Sequence, residues 1–530
     1  MQGTHRPRYS LAFLTALVII LVVANNRELF AAADSKPDQN VERRVQELGP
    51  KLDTYVVNGM KAFDVPGIAI GIVTGDKLVY SKGWGVRRKG GPPVDTSTLF
   101  QIGSTTKAFL ATTMAIAADH GKFHWDDRVV DLDPDFQLND PWVTREFRVF
   151  DLIAQRSGLP PYANDMLAIL GFDETSMIRS LRYVKPVSSF RTTFAYTNIT
   201  HLEAGRIVAK TEGAPDWNTV LRDELLDPLG MRESTYTAAA MEAAPNHAEG
   251  YRYTPTGSVE VPFEQFFPYN FGGAGDINSN VDEMAHWVRL QLGNGSFEGQ
   301  RIVSPENLAV TRTPKVAISD KITYALGWIN SQTPNGTIVW HNGGTFGFGS
   351  LVGFDLDKNF GVIVLTNQGN VGFPDAVGLW IFDQLLGNPP VDYAAEALKK
   401  AAKGYADDNR RYTRPSNPRA GPSLAELLGN FDNPIFGKAV LKRQGDTMLL
   451  EIQSGAQMQL EPWDGDVFTA QLLAAGRFAP IAQDLGPGPS GFVQFPVNED
   501  GRRNLLQLIL DDGQTYDFRR ESADASSAHK

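Results

Sequence analysis

The chain of 530 residues contains no cysteine. This absence excludes disulfide bonds, thiolate nucleophiles, cysteine-ligated zinc and iron–sulfur clusters. Basic residues are also outnumbered, because 50 lysines and arginines face 61 acidic residues and leave a formal net charge of −11. A negative chain repels a polyanion, so we expect no nucleic-acid partner. H-E-x-x-H and P-loop motifs are missing too, so the sequence predicts no metal and no cofactor.

Long apolar runs are missing except near the N-terminus. The run Leu11–Ala24 follows Arg6 and Arg8, and at 14 residues it is short for a membrane span of about 20. Ala31–Ala33 offers a cleavage site of small residues. We predict that residues 1–33 form a signal peptide, with an uncleaved membrane anchor through residues 11–24 as the alternative. The protein is then exported to the periplasm or the extracellular medium.

The remaining sequence has an ordinary globular composition, with 42% hydrophobic residues and room for two to four domains. Strand-like runs stand at both ends of a mostly helical region, which predicts one sheet completed by the two ends with a helical insertion between them. We expect the functional site at the seam. The predicted elements are a helix over Val41–Phe63, a hairpin of Ile68–Val73 and Leu78–Tyr80, a helix from Thr105 to about His120, strands over Thr337–His341, Ser350–Asp355 and Phe360–Thr366, and a helix over Val377–Leu386.

The C-terminal part has a different pattern. Residues 391–422 end in a run rich in proline, glycine and arginine, which indicates a linker. Short β-type runs separated by turn residues then predict a separate β domain over residues 423–523, a barrel or a sandwich. These runs are Lys438–Leu441, Met448–Ile452, Val467–Gln471, Phe492–Val497 and Leu505–Leu510.

Ser104-Thr105-Thr106-Lys107 opens the helix predicted from Thr105. Residues three apart share a helix face, so the Ser104 hydroxyl and the Lys107 amine lie side by side at the positive end of this helix. A desolvated amine can lose its proton and accept the one from serine. The same spacing recurs at Ser527–Lys530, but only in a Ser/Ala-rich tail. We therefore predict Ser104 as the nucleophile.

A covalent hydrolase also needs a group that relays a proton to the leaving group. Tyr196-Thr197-Asn198 offers a phenol as the acid or base and an amide that can bind both Lys107 and a substrate carbonyl. Tyr162-Ala163-Asn164 is a rival with the same spacing, although it follows the loop Ser157-Gly158-Leu159-Pro160-Pro161 and also fits a simple turn. Tyr196 leads into a helix-like run, so we favour it.

A third element is Trp340-His341-Asn342-Gly343-Gly344, at the end of a predicted strand. Glycines there let the backbone approach a substrate closely, and their N–H groups can form an oxyanion hole with that of Ser104. His341 is the only one of the eight histidines in an H-x-G context, where a cation would bind a carboxylate. A hairpin turn would explain the glycines alone.

The ordered motifs S-x-x-K, Y-x-N and H-x-G resemble those of the penicillin-recognising serine hydrolases. This family includes class C β-lactamases, D-alanyl-D-alanine carboxypeptidases, D-aminopeptidases and related esterases. Flanking stretches are similar as well, and the resemblance covers about residues 41–390. It extends to Phe100–Lys107, Ser157–Pro160, Asp227–Met231 and Gly275–Ser279. Residues 423–523 are similar to the lipocalin-like domains that lie after the catalytic domain in some of these peptidases.

The resemblance implies an α/β (α+β) fold of the β-lactamase and transpeptidase type, an antiparallel sheet flanked by helices with a helical subdomain, followed by a small all-β barrel. It makes Ser104 the acylated nucleophile and gives the general-base and general-acid work to Lys107 and Tyr196, in an order that stays open. The implied substrate-binding residues are Asn198, His341, Gly343 and Gly344, with His341 in contact with a substrate carboxylate or with the Tyr196 hydroxyl. Class C β-lactamases usually carry lysine at the place of His341, so histidine favours the peptidases.

These observations predict a serine hydrolase that forms an acyl-enzyme with a peptide amide or an ester. The expected partner is a small peptide, ester or β-lactam substrate, with activity like that of a D-alanyl-D-alanine carboxypeptidase or D-aminopeptidase. A β-lactamase or carboxylesterase of the same fold is the alternative. A third hypothesis, from another class, is a non-catalytic penicillin-binding or sensor protein. The natural substrate and the oligomeric state stay open.

Overall fold

The computed structural model describes residues 40–263 and 265–521. The signal peptide or anchor predicted for residues 1–33 lies outside this described part. Within it, no helix combines the length and the apolar character that a membrane span requires.

An eight-stranded antiparallel sheet lies at the centre of the region before residue 390, and both ends of that region build it. Gly67–Thr74 pairs with Phe360–Thr366, with Ile70 opposite Val364, which confirms the prediction of one sheet completed by the two ends. Its central strands are buried along their whole length because helices cover both faces. From one edge to the other, the strands are Lys77–Gly85, Gly67–Thr74, Phe360–Thr366, Gly349–Asp355, Gly336–Gly344, Ile329–Thr333, Ile322–Tyr324 and Val316–Ala317.

Each face of the sheet has its own apolar core. On one face the helices Asn40–Phe63 and Phe373–Leu386 bury leucine, isoleucine and valine side chains against the strands. On the other face lie the helices Thr106–Asp119 and Val281–Leu292. Trp287 anchors this second core, since its ring stacks on Phe109 at 4.2 Å and on Trp328 at 5.2 Å.

Most residues between the first and the last strands of the sheet form the predicted helical subdomain. Its α-helices are Val129–Leu132, Pro141–Glu146, Met166–Ile169, Glu174–Ser180, Ile199–Glu212, Trp217–Leu221, Ala238–Ala243 and Pro305–Arg312. The other helical segments, which are 3-10 or π turns, are Gly103–Thr105, Val149–Ile153, Leu181–Tyr183, Arg222–Leu226 and Tyr269–Ala274. Short strand pairs are Phe100–Gln101 with Asn278–Ser279, Tyr251–Arg252 with Val259–Glu260, and Ser296–Phe297 with Gln300–Arg301.

The segment predicted as a linker, residues 391–422, contains the 19-residue helix Tyr393–Arg411. Its sequence is rich in alanine and lysine, which favour helix, and Asp392 caps it by accepting from the Ala395 N–H at 3.0 Å. Ala397 on this helix is fully buried. The proline and glycine residues that indicate a linker are confined to its last part, so the irregular connection is shorter than predicted.

Eight antiparallel strands close into a barrel in the C-terminal part, as predicted from the resemblance. Phe431 pairs with Arg520 and joins the first strand to the last. Five strands were expected, and the three others alternate exposed polar residues with few buried ones, which weakens their hydrophobic signal. The strands are Gly429–Asn433, Gly437–Gln444, Thr447–Ile452, Gln457–Asp464, Val467–Leu472, Gly491–Gln494, Leu505–Leu510 and Thr515–Arg520, with helices at Leu424–Leu427, Gly476–Phe478 and Ala479–Leu485.

The barrel packs on the helical subdomain. The ring of Phe436 in the barrel meets that of Phe172 edge to face at 5.6 Å. Arg477 donates to the carbonyl oxygen of Gly171 at 3.0 Å. Apolar burial and hydrogen bonds therefore both join the barrel to the region that carries the predicted site.

Candidate active site

Ser104 and Lys107 lie together where the sequence places them. Ser104 belongs to the helical turn Gly103–Thr105, and Lys107 to the first turn of the adjoining helix Thr106–Asp119. The Lys107 amine lies 3.0 Å from Ser104 Oγ. Ser104 is partly exposed whereas Lys107 is fully buried, so a substrate can reach the hydroxyl while water is kept from the amine.

The buried amine has three oxygen neighbours. Besides Ser104 Oγ, it lies 2.7 Å from Asn198 Oδ1 and 2.8 Å from the carbonyl oxygen of Ala274. Burial disfavours the ammonium form and lowers the pKa of Lys107 to about 7. A neutral amine can donate to Asn198 and Ala274 and still turn its lone pair to the Ser104 hydroxyl. This is the arrangement that a general base for serine requires.

Tyr196 lies on the other side of Lys107, with its ring centroid 4.8 Å from the amine. Burial, with a further contribution from Tyr324, raises the pKa of Tyr196 well above its usual value. Tyr196 is therefore a protonated phenol near neutral pH, suited to donate a proton.

The Tyr196-Thr197-Asn198 segment is fixed by a glutamine that sequence reasoning missed. The Gln155 amide donates to the Thr197 carbonyl at 3.0 Å and accepts from the Thr197 N–H at 2.6 Å. Gln155 has a φ of 56°, a left-handed conformation uncommon for glutamine. A single glutamine in a loop carries no pattern, so no signal in the sequence points to it.

The rival Tyr162-Ala163-Asn164 occupies a neighbouring turn. The Tyr162 ring lies 5.6 Å from that of Tyr196, and the Tyr162 N–H donates to the Tyr196 carbonyl. The Asn164 amide donates to Ser180 Oγ at 2.7 Å and accepts from the Tyr516 hydroxyl. The structure thus brings Asn198 to Lys107 and turns Asn164 towards the barrel.

Asp165, the next residue, is a second group that sequence reasoning missed. Its carboxylate is fully buried and accepts from the Asn198 side-chain amide at 2.5 Å. It comes directly after the rival motif, in a sequence that also fits an ordinary turn. Only the fold brings it behind Asn198.

His341 lies in the strand Gly336–Gly344 with its side chain fully buried. Its Nδ1 donates to the Asn342 carbonyl at 2.5 Å, which leaves Nε2 to accept from the Tyr324 hydroxyl at 3.1 Å. Burial and the neighbouring Lys107 lower the pKa of His341 to about 3. The expectation of a cation here is corrected: the ring is neutral, and its nitrogens bond to Asn342 and Tyr324 rather than to the Tyr196 hydroxyl. A substrate contact by His341 stays a prediction.

The glycines after His341 lie against the turn that carries Ser104. A Cβ on Gly343 would lie 1.9 Å from the Ile102 carbonyl oxygen, and a Cβ on Gly103 would lie 2.7 Å from the Gly344 nitrogen. No larger residue fits this approach. Thr345 donates to the Phe348 carbonyl, and alternate residues of an antiparallel pair point their N–H groups away from the partner strand. The Gly344 N–H therefore faces the Ser104 turn.

Metal ligands are not grouped around this site. In residues 40–263 and 265–521, no three histidine or acidic side chains lie close enough together to hold a metal ion. The polar groups that converge on Ser104 are an amine, a phenol and backbone amides. These are the components of acyl transfer to a serine.

Comparisons with known proteins give the family. The sequence profile of the family described as Beta-lactamase matches residues 52–383. An unguisins hydrolase from Aspergillus campestris is 26% identical over 495 residues, which cover 84% of this chain and 89% of that protein. Penicillin-binding protein 4 from Amycolatopsis lactamdurans is 27% identical over 274 residues, 50% of this chain and 70% of that protein.

A solved structure has the same fold over most of the chain. The octameric penicillin-binding protein homologue from Pyrococcus abyssi covers 88% of this chain and 99% of its own, with a TM-score of 0.58 and 21% identity. The family match spans the segments that carry Ser104, Lys107, Tyr196 and His341. The chain belongs to the Beta-lactamase family and has the fold of β-lactamases and penicillin-binding proteins, followed by a closed eight-stranded barrel.

Proposed function

We propose that the protein is a serine hydrolase that forms an acyl-enzyme on Ser104 with peptide amides or esters, with activity like that of a D-aminopeptidase or D-alanyl-D-alanine carboxypeptidase. The observation that carries this proposal is the fully buried Lys107 amine, 3.0 Å from Ser104 Oγ. The name of the relative from Aspergillus campestris, an unguisins hydrolase, supports hydrolysis.

In the first step the neutral Lys107 amine takes the proton of Ser104 as Oγ attacks the substrate carbonyl carbon. The carbonyl oxygen becomes an oxyanion and accepts hydrogen bonds from the N–H groups of Ser104 and Gly344. These donors are fixed before the reaction begins, so they stabilise the developing charge without reorganising.

In the second step the tetrahedral intermediate collapses and releases the leaving group. The Tyr196 hydroxyl gives its proton to the departing nitrogen or oxygen and takes back the proton held by Lys107. The acyl group stays on Ser104 until a water molecule attacks it, with the same groups moving the protons in reverse order. Asn198 holds Lys107 throughout and has a second amide hydrogen for the substrate carbonyl.

The neutral state of His341 bears on the choice of substrate. A substrate with a free carboxylate next to the scissile bond gains no ion pair from an uncharged ring. Of the two activities proposed above, the neutral ring favours the D-aminopeptidase type: we expect amides and esters with neutral leaving groups to be cleaved faster than peptides that end in a free D-alanine carboxylate.

Purified full-length protein and its Ser104→Ala variant would be assayed on four substrates: a D-amino acid p-nitroanilide, p-nitrophenyl acetate, a peptide ending in D-Ala-D-Ala, and nitrocefin. The proposal expects turnover of at least the anilide or the ester, and loss of that turnover in Ser104→Ala with an unchanged circular dichroism spectrum. Fast nitrocefin hydrolysis would favour a β-lactamase instead. A stable covalent adduct without turnover would contradict the proposed hydrolase activity and favour a penicillin-binding sensor.

We also propose that the protein is exported, on the basis of the sequence of residues 1–33. Fractionation of cells that express the full chain with a C-terminal tag would place it in the exported fraction. A chain without residues 1–33 would stay in the cytoplasm. Equal distribution of the two chains would contradict export.

A further inference from the structure

Asp165 lies behind the catalytic residues of the proposed function and takes no part in the steps given above. Its side chain is fully buried, and its Oδ2 accepts a hydrogen bond from the side-chain amide of Asn198 at 2.5 Å. Its other oxygen, Oδ1, has no hydrogen-bond partner in the described part of the chain. The carboxylate is therefore turned to Asn198 alone.

This contact decides which way the Asn198 amide points. An asparagine amide has an oxygen that accepts and a nitrogen that donates. Because its nitrogen donates to Asp165 at 2.5 Å, its oxygen faces the Lys107 amine at 2.7 Å. With the amide reversed, its nitrogen would face the N–H groups of Lys107 and its oxygen would face a carboxylate. Both contacts would then be repulsive.

We propose that Asp165 is a positioning residue that fixes the Asn198 amide against Lys107 and supplies the negative charge that opposes this lysine. The inference rests on the proposed function, because it assigns Asp165 a part in the same reaction. Asp165 touches neither Ser104 nor the substrate site and acts through Asn198 and Lys107.

The turn before Asp165, residues 162–164, is hydrogen-bonded to the barrel. Tyr162 and Asn164 have φ values of 56° and 60°, a left-handed backbone that costs free energy in residues other than glycine. The hydroxyl of Tyr516, a buried barrel residue, donates to Asn164 Oδ1 at 3.1 Å. Asp512 Oδ2 lies 3.0 Å from the same hydroxyl. The barrel thus stabilises the strained turn directly before Asp165.

The charges around Lys107 and Asp165 give the direction of a pH effect. The groups that face Lys107 are Ser104, Tyr196 and Asn198 together with His201, His341 and Asp165. Burial lowers the pKa of both histidines, so they are neutral. The groups that face Asp165 are Asn198, Lys107, Tyr196, Asp512 and Tyr516.

Burial raises the pKa of Asp165 itself to about 7, so its negative charge is present above that pH. Where Asp165 is ionised it favours the charged amine, so its replacement by asparagine lowers the pKa of Lys107. In Asp165→Asn, the acid limb of the kcat/KM profile therefore moves to lower pH, by about one unit. At the same time kcat falls by about tenfold, since asparagine can turn its own nitrogen to Asn198. A limb at the wild-type pH in an active, folded Asp165→Asn variant would overturn the inference.

Asp165→Glu separates charge from position and also serves if Asp165→Asn does not fold. It keeps the negative charge, so the limb stays at the wild-type pH, whereas kcat falls because the longer side chain displaces the Asn198 amide. An undiminished kcat or a displaced limb would contradict the inference. The matched control is Asp383→Asn. Asp383 is also a buried carboxylate that accepts from an asparagine, Asn388 at 2.9 Å, but it lies near the end of the helix Phe373–Leu386.

The part played by the barrel has its own test. Tyr516→Phe removes the hydroxyl from Asn164 and keeps the ring, so kcat on the ester should fall several-fold with the barrel intact by circular dichroism. Tyr412→Phe is the control, because the Tyr412 hydroxyl bonds to Asp511 and has no contact with Asn164. Equal kcat in the two variants would show that the barrel does not help to position Asp165.

A measurement without turnover distinguishes failure of this inference from failure of the proposed function. Full-length protein with 13Cε-labelled lysine would be titrated by NMR, with Lys107→Ala to assign the signal. The Lys107 pKa should be lower in Asp165→Asn than in wild type. An unchanged pKa overturns the inference even if the hydrolase is confirmed, and a lowered pKa in a protein that hydrolyses nothing supports it while the proposed function fails.

Discussion

Two segments with the pattern Tyr-x-Asn lie side by side in this protein and have different surroundings. In Tyr196-Thr197-Asn198 the ring and the amide both lie against Lys107. In Tyr162-Ala163-Asn164 the amide bonds to Ser180 and to Tyr516 of the barrel. The same three-residue pattern therefore belongs to the catalytic site in one segment and to a domain contact in the other.

The difference comes from the helix that each segment leads into. Asn198 directly precedes the 14-residue helix Ile199–Glu212, which is packed in the core. Asn164 precedes the four-residue helix Met166–Ile169 and adopts a left-handed backbone. A catalytic side chain thus comes from the regular element, and the strained turn supplies Asp165 behind it.

The largest difference between the segments should appear when the phenol is removed. In Tyr196→Phe, kcat/KM should fall by about 100- to 10,000-fold, because the leaving group loses its proton donor. Tyr162→Phe keeps the ring that packs on Tyr196 and should lose much less. Steady-state kinetics on the D-amino acid anilide would measure both, and an equal loss in the two variants would break the comparison.

The amides should differ next. Asn198→Ala removes an acceptor from Lys107 and lets the amine move, so kcat should fall by about 100-fold. Asn164→Ala leaves Lys107 with its contacts to Ser104, Asn198 and Ala274, so a smaller fall is expected. Stopped-flow measurement of the acylation rate isolates the step concerned. A larger loss in Asn164→Ala would reverse the assignment of the two segments.

The pH dependence sharpens the role of the first segment. The pKa of Lys107 is lowered to about 7 by burial, and the base must be neutral. Activity is therefore present above this pKa and falls by about tenfold for each pH unit below it. A profile of kcat/KM between pH 5 and 9, in buffers of constant ionic strength, would check this. An acid limb near pH 4 or near pH 10 would point to a different base.

The smallest expected effect is on stability, and it concerns the segment Tyr162-Ala163-Asn164. Asn164→Ala removes two buried hydrogen bonds, those to the Ser180 and Tyr516 hydroxyls, and at about 0.5–1.5 kcal/mol each this should lower the free energy of unfolding by about 1–3 kcal/mol. Urea denaturation followed by tryptophan fluorescence would measure the loss. Thr413→Ala, which removes an exposed hydroxyl bonded to the Asn409 carbonyl, is the control and should change stability far less. Wild-type stability in Asn164→Ala would show that the contact between Asn164 and the barrel does not stabilise the fold.

Much of the fold can be predicted from patterns that the sequence displays. The strand predicted over Phe360–Thr366 is found with the same bounds, because a run of β-branched and aromatic residues is buried on both faces. The edge strand Val316–Ala317 and its neighbour Ile322–Tyr324 were not predicted, since two or three residues carry no periodicity. In the barrel, Thr515–Arg520 was missed because only Tyr516 and Phe518 of its six residues face the interior.

The candidate site divides in the same way. Ser104 and Lys107 were predicted because a helix brings residues three apart to one face. The neutral state of His341 was not, because its charge depends on burial and on Lys107, which the fold brings to it. Gln155 and Asp165 were missed for a related reason. Each acts on a residue more than 30 positions away, and no local pattern marks such a contact.

The central claim is that an acyl group passes through Ser104. The most direct test mixes full-length protein with p-nitrophenyl acetate, quenches the reaction in acid within one turnover, and locates the adduct by intact mass and peptide mapping. The account predicts one acetyl group, on the peptide that contains Ser104, and none in Ser104→Ala. Acetyl on another residue, or wild-type ester turnover by a clean preparation of Ser104→Ala, would contradict it.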